Sequence, residues 1–90
     1  MNNYHFKTTD NGTKCYYLNG MFHREDGPAL EYTTGKKEWY KNGLLHRENG
    51  PAIEYADGYR HWCLNGKCYG YNNDFTNKSW TKFVKTLIFF

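Results

Sequence analysis

The sequence predicts a mainly β fold with one C-terminal α-helix, in which β-hairpin units of 23 residues form an antiparallel meander sheet capped by the helix. Three observations support this prediction. Asn-Gly pairs begin at positions 19, 42 and 65, and Gly12, Gly35 and Gly58 keep the same interval of 23 residues. A short fixed period is typical of a hairpin-sized unit that buries its apolar face by stacking on its neighbours. Past residue 74, the spacing of apolar residues changes from that of a strand to that of a helix.

The 90 residues are expected to form a single small domain. Its aromatic content of 20 % favours a folded chain, because disordered segments are poor in aromatic residues. Residues 1–12 are predicted to form an N-terminal edge strand, and residues 75–90 to form the capping helix. The repeat units between them are predicted at residues 13–35, 36–58 and 59–74.

Each Asn-Gly pair predicts a tight hairpin, because both residues of a type I′ turn need positive φ. In the second unit, Asn42-Gly43 would form the turn, and Asp57-Gly58 would close the following hairpin. The predicted cross-strand pairs in that unit are Lys41 with Leu44, Tyr40 with Leu45, Trp39 with His46 and Glu38 with Arg47.

Alternation along the strands divides the aromatic residues between two faces. Tyr16, Trp39 and Trp62 occupy equivalent positions and are expected to stack into one ladder, which we interpret as core. Tyr17 and Tyr40 would lie on the opposite face, together with the equivalent apolar residues Phe22 and Leu45.

The C-terminal segment has the spacing of an amphipathic helix. Its apolar stripe is formed by Trp80, Phe83, Val84, Leu87 and Ile88. Thr76 is the predicted N-cap, and Phe75 is expected to pack on Trp80 as a hydrophobic staple.

The unit "WYxNGxLHRxxGPAxEYxxG" resembles the MORN-like repeats of tailed bacteriophages and large DNA viruses. This sequence carries it at residues 39–58 and, with more substitutions, at residues 16–35. The resemblance covers about residues 13–70. It implies hairpins that build an elongated interaction platform, and a small viral protein that works inside a bacterial cell. The glycine spacing of MORN repeats proper is absent, so lipid and scaffold roles are not carried over.

Charge and composition narrow the function classes. The net charge of +3 is too small to indicate nucleic acid as a direct ligand. Residues 25–57 hold seven acidic and four basic residues, whereas residues 58–90 hold one acidic and five basic residues. No apolar run approaches the roughly 20 residues of a membrane span. An odd number of cysteines and a polar N-terminal segment predict a reducing cytoplasm. The resemblance implies that this is the cytoplasm of the host.

Two repeated pairs, His23-Arg24 and His46-Arg47, are candidates for an anion-binding site, because arginine offers forked donors and histidine a proton. We favour a structural interpretation, since both pairs belong to the repeat. In that interpretation each histidine stacks on an aromatic ring, and Arg47 pairs with Glu38 and with a neighbouring glutamate.

Cys63 and Cys68 would face each other across the third hairpin. A disulfide is geometrically possible there, and a zinc site with His61 lacks the usual ligand spacing and a fourth ligand. We favour a small apolar pair. The sequence contains no pattern that predicts a metal site, a cofactor or an enzyme active site.

The sequence therefore predicts a non-catalytic binding protein. The resemblance to phage repeats implies that it binds and inhibits a host bacterial protein, as a counter-defence inhibitor of the anti-CRISPR type. Candidate partner-binding residues lie outside the repeat, in the N-terminal strand and on the polar side of the helix: Tyr4, His5, Phe6, Lys78, Lys82 and Lys85. The alternatives are a sponge for a nucleotide or other small anion and a histidine-dependent hydrolase. A homodimer is also expected, partly through the apolar end formed by Ile88, Phe89 and Phe90.

Overall fold

The computed structural model describes residues 3–88, and the side chains of residues 3–87. This part of the chain forms ten strands and one α-helix, so the prediction of a mainly β fold with a C-terminal helix is confirmed. The strands are β1 Tyr4–Thr8, β2 Lys14–Leu18, β3 Met21–Phe22, β4 Leu30–Glu31, β5 Lys37–Glu38, β6 Tyr40–Lys41, β7 Leu44–Leu45, β8 Ile53–Glu54, β9 Arg60–Leu64 and β10 Lys67–Tyr71. The helix α1 spans Asn77–Ile88.

The turns recur with the period of the sequence. Asn19, Asn42 and Asn65 have φ of 52°, 52° and 49°, and the glycine after each also has positive φ. This is the backbone that a type I′ turn requires. A second turn recurs at residues 9–13, 32–36 and 55–59. Each copy is closed by the same two backbone hydrogen bonds. The first copy connects β1 to β2, so the N-terminal strand follows the geometry of the units after it.

The strands form one antiparallel sheet in the order β1-β2-β4-β5-β8-β9-β10, with β3 paired to β2 beside it. A second, two-stranded sheet is formed by β6 and β7. The molecule is flat, with principal extents of 38 × 36 × 18 Å. Each Asn-Gly hairpin also hydrogen-bonds to the next, because the Gly43 N–H donates to the Phe22 carbonyl and the Gly66 N–H to the Leu45 carbonyl.

The chain changes strand partners at Trp39, which lies between β5 and β6. Tyr40 pairs with Leu45 and Lys41 with Leu44, as predicted. The predicted pair of Glu38 with Arg47 is wrong, because Glu38 lies opposite Leu30 and Ile53 in the large sheet. The reason is that the Trp39 N–H donates to the Ala52 carbonyl, while its own carbonyl accepts from the His46 N–H. The second unit thus contributes strands both to the large sheet and to the two-stranded sheet of β6 and β7.

Helix α1 packs on the last strands of the sheet and forms the main apolar core. The buried cluster consists of Trp62, Leu64, Trp80 and Val84. The predicted N-cap is confirmed, since the Thr76 hydroxyl accepts from the Ser79 N–H at 3.1 Å. The predicted staple is also confirmed, with the rings of Phe75 and Trp80 4.9 Å apart. No helix among residues 3–88 is long and apolar enough to span a membrane.

The predicted core ladder is confirmed only at Trp62. Trp62 is fully buried against Phe75 and Trp80, whereas Trp39 and Tyr16 are half-buried. The prediction failed at the two earlier positions because Trp80 of α1 packs on Trp62, whereas arginine side chains cover the other two rings. The predicted apolar contact of Ile88, Phe89 and Phe90 concerns side chains outside the described residues.

Candidate interaction surface

Cross-strand register places the tyrosines mostly on one side of the sheet. Directly opposed residues share a face, and the row Cys15, Leu30, Glu38, Ile53 and His61 runs across four strand pairs. We call this side the tyrosine face, and it carries Tyr17, Tyr32, Tyr40, Tyr55, Tyr59 and Tyr71. The opposite side, which carries Tyr16, Trp39, Trp62 and α1, is the helix face.

One end of the tyrosine face is a cluster of rings around His61. Tyr55, Tyr59 and Tyr71 lie 5.6, 6.0 and 4.8 Å from the His61 ring. The side chains of Tyr59 and Tyr71 are 50 % and 48 % exposed. Edge-to-face contacts hold aromatic rings in fixed orientations. The cluster therefore presents two half-exposed rings in a fixed arrangement.

The centre of the tyrosine face holds a buried carboxylate. Glu38 accepts a hydrogen bond from the Tyr40 hydroxyl at 2.9 Å, and the Lys36 ammonium lies 2.9 Å from its other oxygen. The same ammonium lies 4.8 Å from the centre of the Tyr55 ring and 5.4 Å from that of Tyr32. Cation–π attraction and the ion pair together fix these side chains in place.

The protonation of this cluster follows from its surroundings. Burial raises the pKa of Tyr40 well above its ordinary value, and the hydrogen bond to Glu38 raises it further. The hydrogen bond to Glu38 also raises the pKa of the Lys36 ammonium, although burial opposes that shift. Both groups therefore stay protonated over the neutral pH range, so the carboxylate of Glu38 keeps both of its donors.

A pH dependence follows for Tyr40→Phe. A folded-state pKa above the ordinary value of about 10 means that Tyr40 contributes fully to stability below pH ~10 and loses that contribution as the pH rises further. Tyr40→Phe should lower the free energy of unfolding by about 1 kcal/mol at pH 8. Between pH 8 and pH ~10.5, the free energy of unfolding of Tyr40→Phe should fall less steeply than that of the wild type. Urea unfolding at both pH values measures the free energies, with Tyr59→Phe as the exposed control. An equal fall in the free energy of unfolding for the wild type and Tyr40→Phe would contradict a raised pKa at Tyr40.

On the helix face, each arginine of the repeat is enclosed by its own unit. The Arg47 guanidinium lies 3.9 Å from the centre of the Trp39 ring and donates to the Pro51 carbonyl and to Glu54 at 3.1 and 2.9 Å. A Cβ on Gly50 would lie 2.7 Å from the guanidinium carbon. The guanidinium is thus sandwiched between a ring and a glycine. Arg24 repeats the arrangement on Tyr16, with the ring centre 4.0 Å away.

The histidines connect successive units. The Nδ1 atom of His23 accepts from the Asn42 N–H at 2.9 Å, and its Nε2 atom lies 2.8 Å from Glu25. Since Nδ1 accepts, Nε2 carries the proton and donates to the carboxylate. His46 makes the equivalent contacts with Asn65 and Glu48. Each histidine therefore anchors the turn of the following hairpin and has both ring nitrogens engaged.

Two details of the predicted structural interpretation are wrong. The arginines stack on the aromatic rings, and the histidines do not, because the histidine rings point towards the next Asn-Gly turn. Arg47 does not contact Glu38, since Glu38 lies on the opposite face of the sheet. The predicted pairing of Arg47 with a neighbouring glutamate is confirmed at Glu54.

The anion-site candidates are divided between two grooves. A groove of about 710 Å³ between the loops that follow β3 and β7 is lined by Arg24, His46 and Arg47. Its rim carries acidic side chains, Glu25, Asp26 and Glu48. His23 lines a neighbouring groove of about 540 Å³, which also contains Tyr4, His5 and Phe6. Carboxylates therefore surround the guanidinium groups that an anion would have to reach.

The predicted partner-binding residues lie in two patches at opposite ends of the sheet. Tyr4, His5 and Phe6 are exposed on β1, the first strand in the sheet order. The lysines 78, 82 and 85 are exposed on α1, which packs near β9 at the other end. The structure does not bring these residues together.

Sequence reasoning missed three features of this surface. Cys63 and Cys68 form a disulfide in the third hairpin, where we favoured a reduced apolar pair. The Trp80 indole N–H donates to the Arg47 carbonyl at 2.8 Å, which ties α1 to the second unit. Of the tyrosine face, sequence reasoning found Tyr17 and Tyr40 but missed Tyr32 and Tyr55, although these two are 23 residues apart and each lies two residues after a buried apolar residue. Among the described residues, no group of histidine, cysteine and acidic side chains could hold a metal ion.

Comparisons of the chain with protein-family models, curated proteins and solved structures give no match. The MORN-like assignment therefore stays a prediction from the repeat unit. The class that the fold and surface define is a flat β-hairpin sheet with a C-terminal helix on one face and a tyrosine-rich opposite face.

Proposed function

We propose that this chain is a non-catalytic binding protein whose tyrosine face engages a partner protein. The observation that carries the proposal is the placement of six of the nine tyrosines on one face of the sheet, two of them about half exposed. Tyrosine is enriched at protein interfaces because its ring buries a large area, its hydroxyl forms hydrogen bonds and its few rotatable bonds lose little entropy.

The shape and rigidity of this face support the proposal. The molecule is 18 Å thick and more than 30 Å across in both other directions, which gives a broad, shallow surface. Its central side chains are fixed by the bonds among Lys36, Glu38 and Tyr40. Binding to a surface ordered in advance has a smaller entropic penalty than binding that must first order flexible loops.

The two histidines that a hydrolase would use are engaged within the repeat, which favours binding over catalysis. A general base needs a free ring nitrogen within reach of a substrate, yet both nitrogens of His23 and His46 have protein partners. A nucleotide sponge would need Arg24 and Arg47 to exchange their carboxylate partners for phosphate. The acidic rim of the groove opposes that exchange.

The partner class follows from the resemblance to phage MORN-like repeats. A small viral protein inside a bacterium meets host proteins, so we propose a host protein as the partner and its inhibition as the outcome. A counter-defence role of the anti-CRISPR type fits this setting, because a stoichiometric inhibitor needs a binding surface and no active site.

A capture experiment with matched variants tests the proposal. The wild type, Tyr59→Ser/Tyr71→Ser and Lys78→Ser/Lys82→Ser are immobilised and exposed to bacterial lysate, and retained proteins are quantified by mass spectrometry. We expect a host protein whose retention falls at least about tenfold with the tyrosine variant and is unchanged with the lysine variant. The two lysines are exposed, so their variant should keep the wild-type melting temperature. The tyrosine variant loses ring contacts with His61 and should melt at a lower temperature but still cooperatively, which thermal melting checks before capture.

The reverse pattern, with loss only in the lysine variant, would assign binding to the helix and contradict the proposal. Retention that neither variant changes would also contradict it. Release of a nucleotide from the purified, denatured protein would favour the sponge.

A further inference from the structure

The outer edge of β1 presents unpaired backbone groups along a whole strand. The Asn3 carbonyl accepts from the Asn19 N–H, and the Thr9 N–H donates to the Thr13 carbonyl. Inward and outward backbone groups alternate in an antiparallel pair. The amides and carbonyls of Tyr4, Phe6 and Thr8 therefore point away from β2, and no strand within residues 3–88 pairs with that edge.

The two ends of the sheet differ in how their edges are protected. The ladder between β9 and β10 is interrupted by a bulge between Cys68 and Gly70, and Tyr69 packs on Phe83 of α1. Bulges and covering elements are devices that prevent edge-to-edge pairing. Strand β1 is five residues long, regular and exposed throughout, and Lys7 is its only charged residue. One edge is thus blocked, whereas the other is left open.

We propose that β1 pairs with β1 of a second copy of this chain, antiparallel and in a register centred on Phe6. The outward groups lie at Tyr4, Phe6 and Thr8, so their pattern is symmetric about Phe6 and matches itself after a two-fold rotation. About six backbone hydrogen bonds form in this register, two at the Phe6 pair and two at each pair of Tyr4 with Thr8. A second copy has the same strand length and the same open edge, so one pairing satisfies the outward groups of both copies at once.

The side chains suit this register. The two Phe6 rings lie opposite each other on the helix face, next to Tyr16, whose ring is 4.8 Å from Phe6. His5 faces Lys7 of the partner subunit on the tyrosine face, and no pair of fixed like charges is created. Opposed residues share a face, so the two tyrosine faces join on one side of a continuous sheet. The pairing concerns the edge alone and does not depend on the function proposed above.

Sedimentation equilibrium with two variants at one position tests the backbone pairing. Phe6→Ala and Phe6→Pro both remove the ring, but only proline lacks the outward N–H. We expect the wild type to be a dimer at tens of micromolar. Phe6→Ala should raise the dimer dissociation constant by about tenfold or less, and Phe6→Pro should raise it by at least about a hundredfold. A monomeric wild type, or equal weakening by both variants, would overturn the proposal. Thr8→Pro against Thr8→Ala repeats the comparison if Phe6→Pro unfolds.

Cysteine trapping tests the register. Opposed residues in a hydrogen-bonded antiparallel pair have Cα atoms about 5.5 Å apart, which is within the range of a disulfide. Phe6→Cys should therefore form a covalent dimer on mild oxidation. Thr8→Cys should not form a covalent dimer, because the two Thr8 positions of the dimer are offset by four residues along the strands, which is about 14 Å. Equal trapping at both positions, or trapping at Thr8 alone, would overturn the register.

Discussion

Trp62→Ala is expected to abolish the cooperative unfolding transition of the domain. Trp62 is fully buried, contacts Phe75 and Trp80, and donates its indole N–H to the Asn72 carbonyl at 2.9 Å. Truncation of a core tryptophan costs about 3–5 kcal/mol, which is most of the stability of a small domain. Thermal melting followed by near-ultraviolet circular dichroism measures the loss.

The repeat supplies a matched control in Trp39→Ala. Trp39 occupies the equivalent position but is half-buried and covered by the Arg47 guanidinium. Loss of this contact and of partial burial should cost about 1–2 kcal/mol and leave a cooperative transition at lower temperature. Equal damage from both substitutions would contradict the assignment of the core to the end of the sheet that carries the helix.

Gly50→Ala is expected to destabilise the fold by about 1–3 kcal/mol, as overpacking does in other close contacts. The new methyl group would lie 2.7 Å from the guanidinium carbon of Arg47. That side chain cannot move freely, because it is stacked on Trp39 and bonded to the Pro51 carbonyl and to Glu54. Urea unfolding at pH 7 gives the free energy.

A double-mutant cycle separates the proposed contact from other effects. In an Arg47→Ala background the crowding partner is gone, so Gly50→Ala should cost much less than in the wild type. An undiminished cost in that background would show that Gly50 is required for a reason other than its contact with Arg47.

The turn chemistry of the sequence was sufficient to predict the hairpins. Asn-Gly requires positive φ at both positions, and this local demand is met at Asn19, Asn42 and Asn65. The cap and staple of α1 were likewise predictable, because Thr76 and Phe75 act on residues within one turn of the helix. Signals that act over a few residues can be read from a single sequence.

Features that depend on packing between distant units could not be predicted in this way. The change of partners at Trp39 results from a hydrogen bond to Ala52, and the burial of Trp62 results from α1, which follows it in sequence. The same holds for the candidate site. The contacts of the pairs His23-Arg24 and His46-Arg47 are set by the next hairpin and by glycines that admit a guanidinium, which a single unit does not reveal.

The central claim is that the repeat's polar side chains maintain the sheet, while the tyrosine face binds a partner. The most direct test is hydroxyl-radical footprinting of tyrosines in the free protein and in the captured complex. We predict that Tyr59 and Tyr71, half-exposed on the tyrosine face, lose reactivity in the complex, whereas Tyr69, exposed beside α1, keeps it. Protection of Tyr69 with unchanged reactivity at Tyr59 and Tyr71 would contradict the claim.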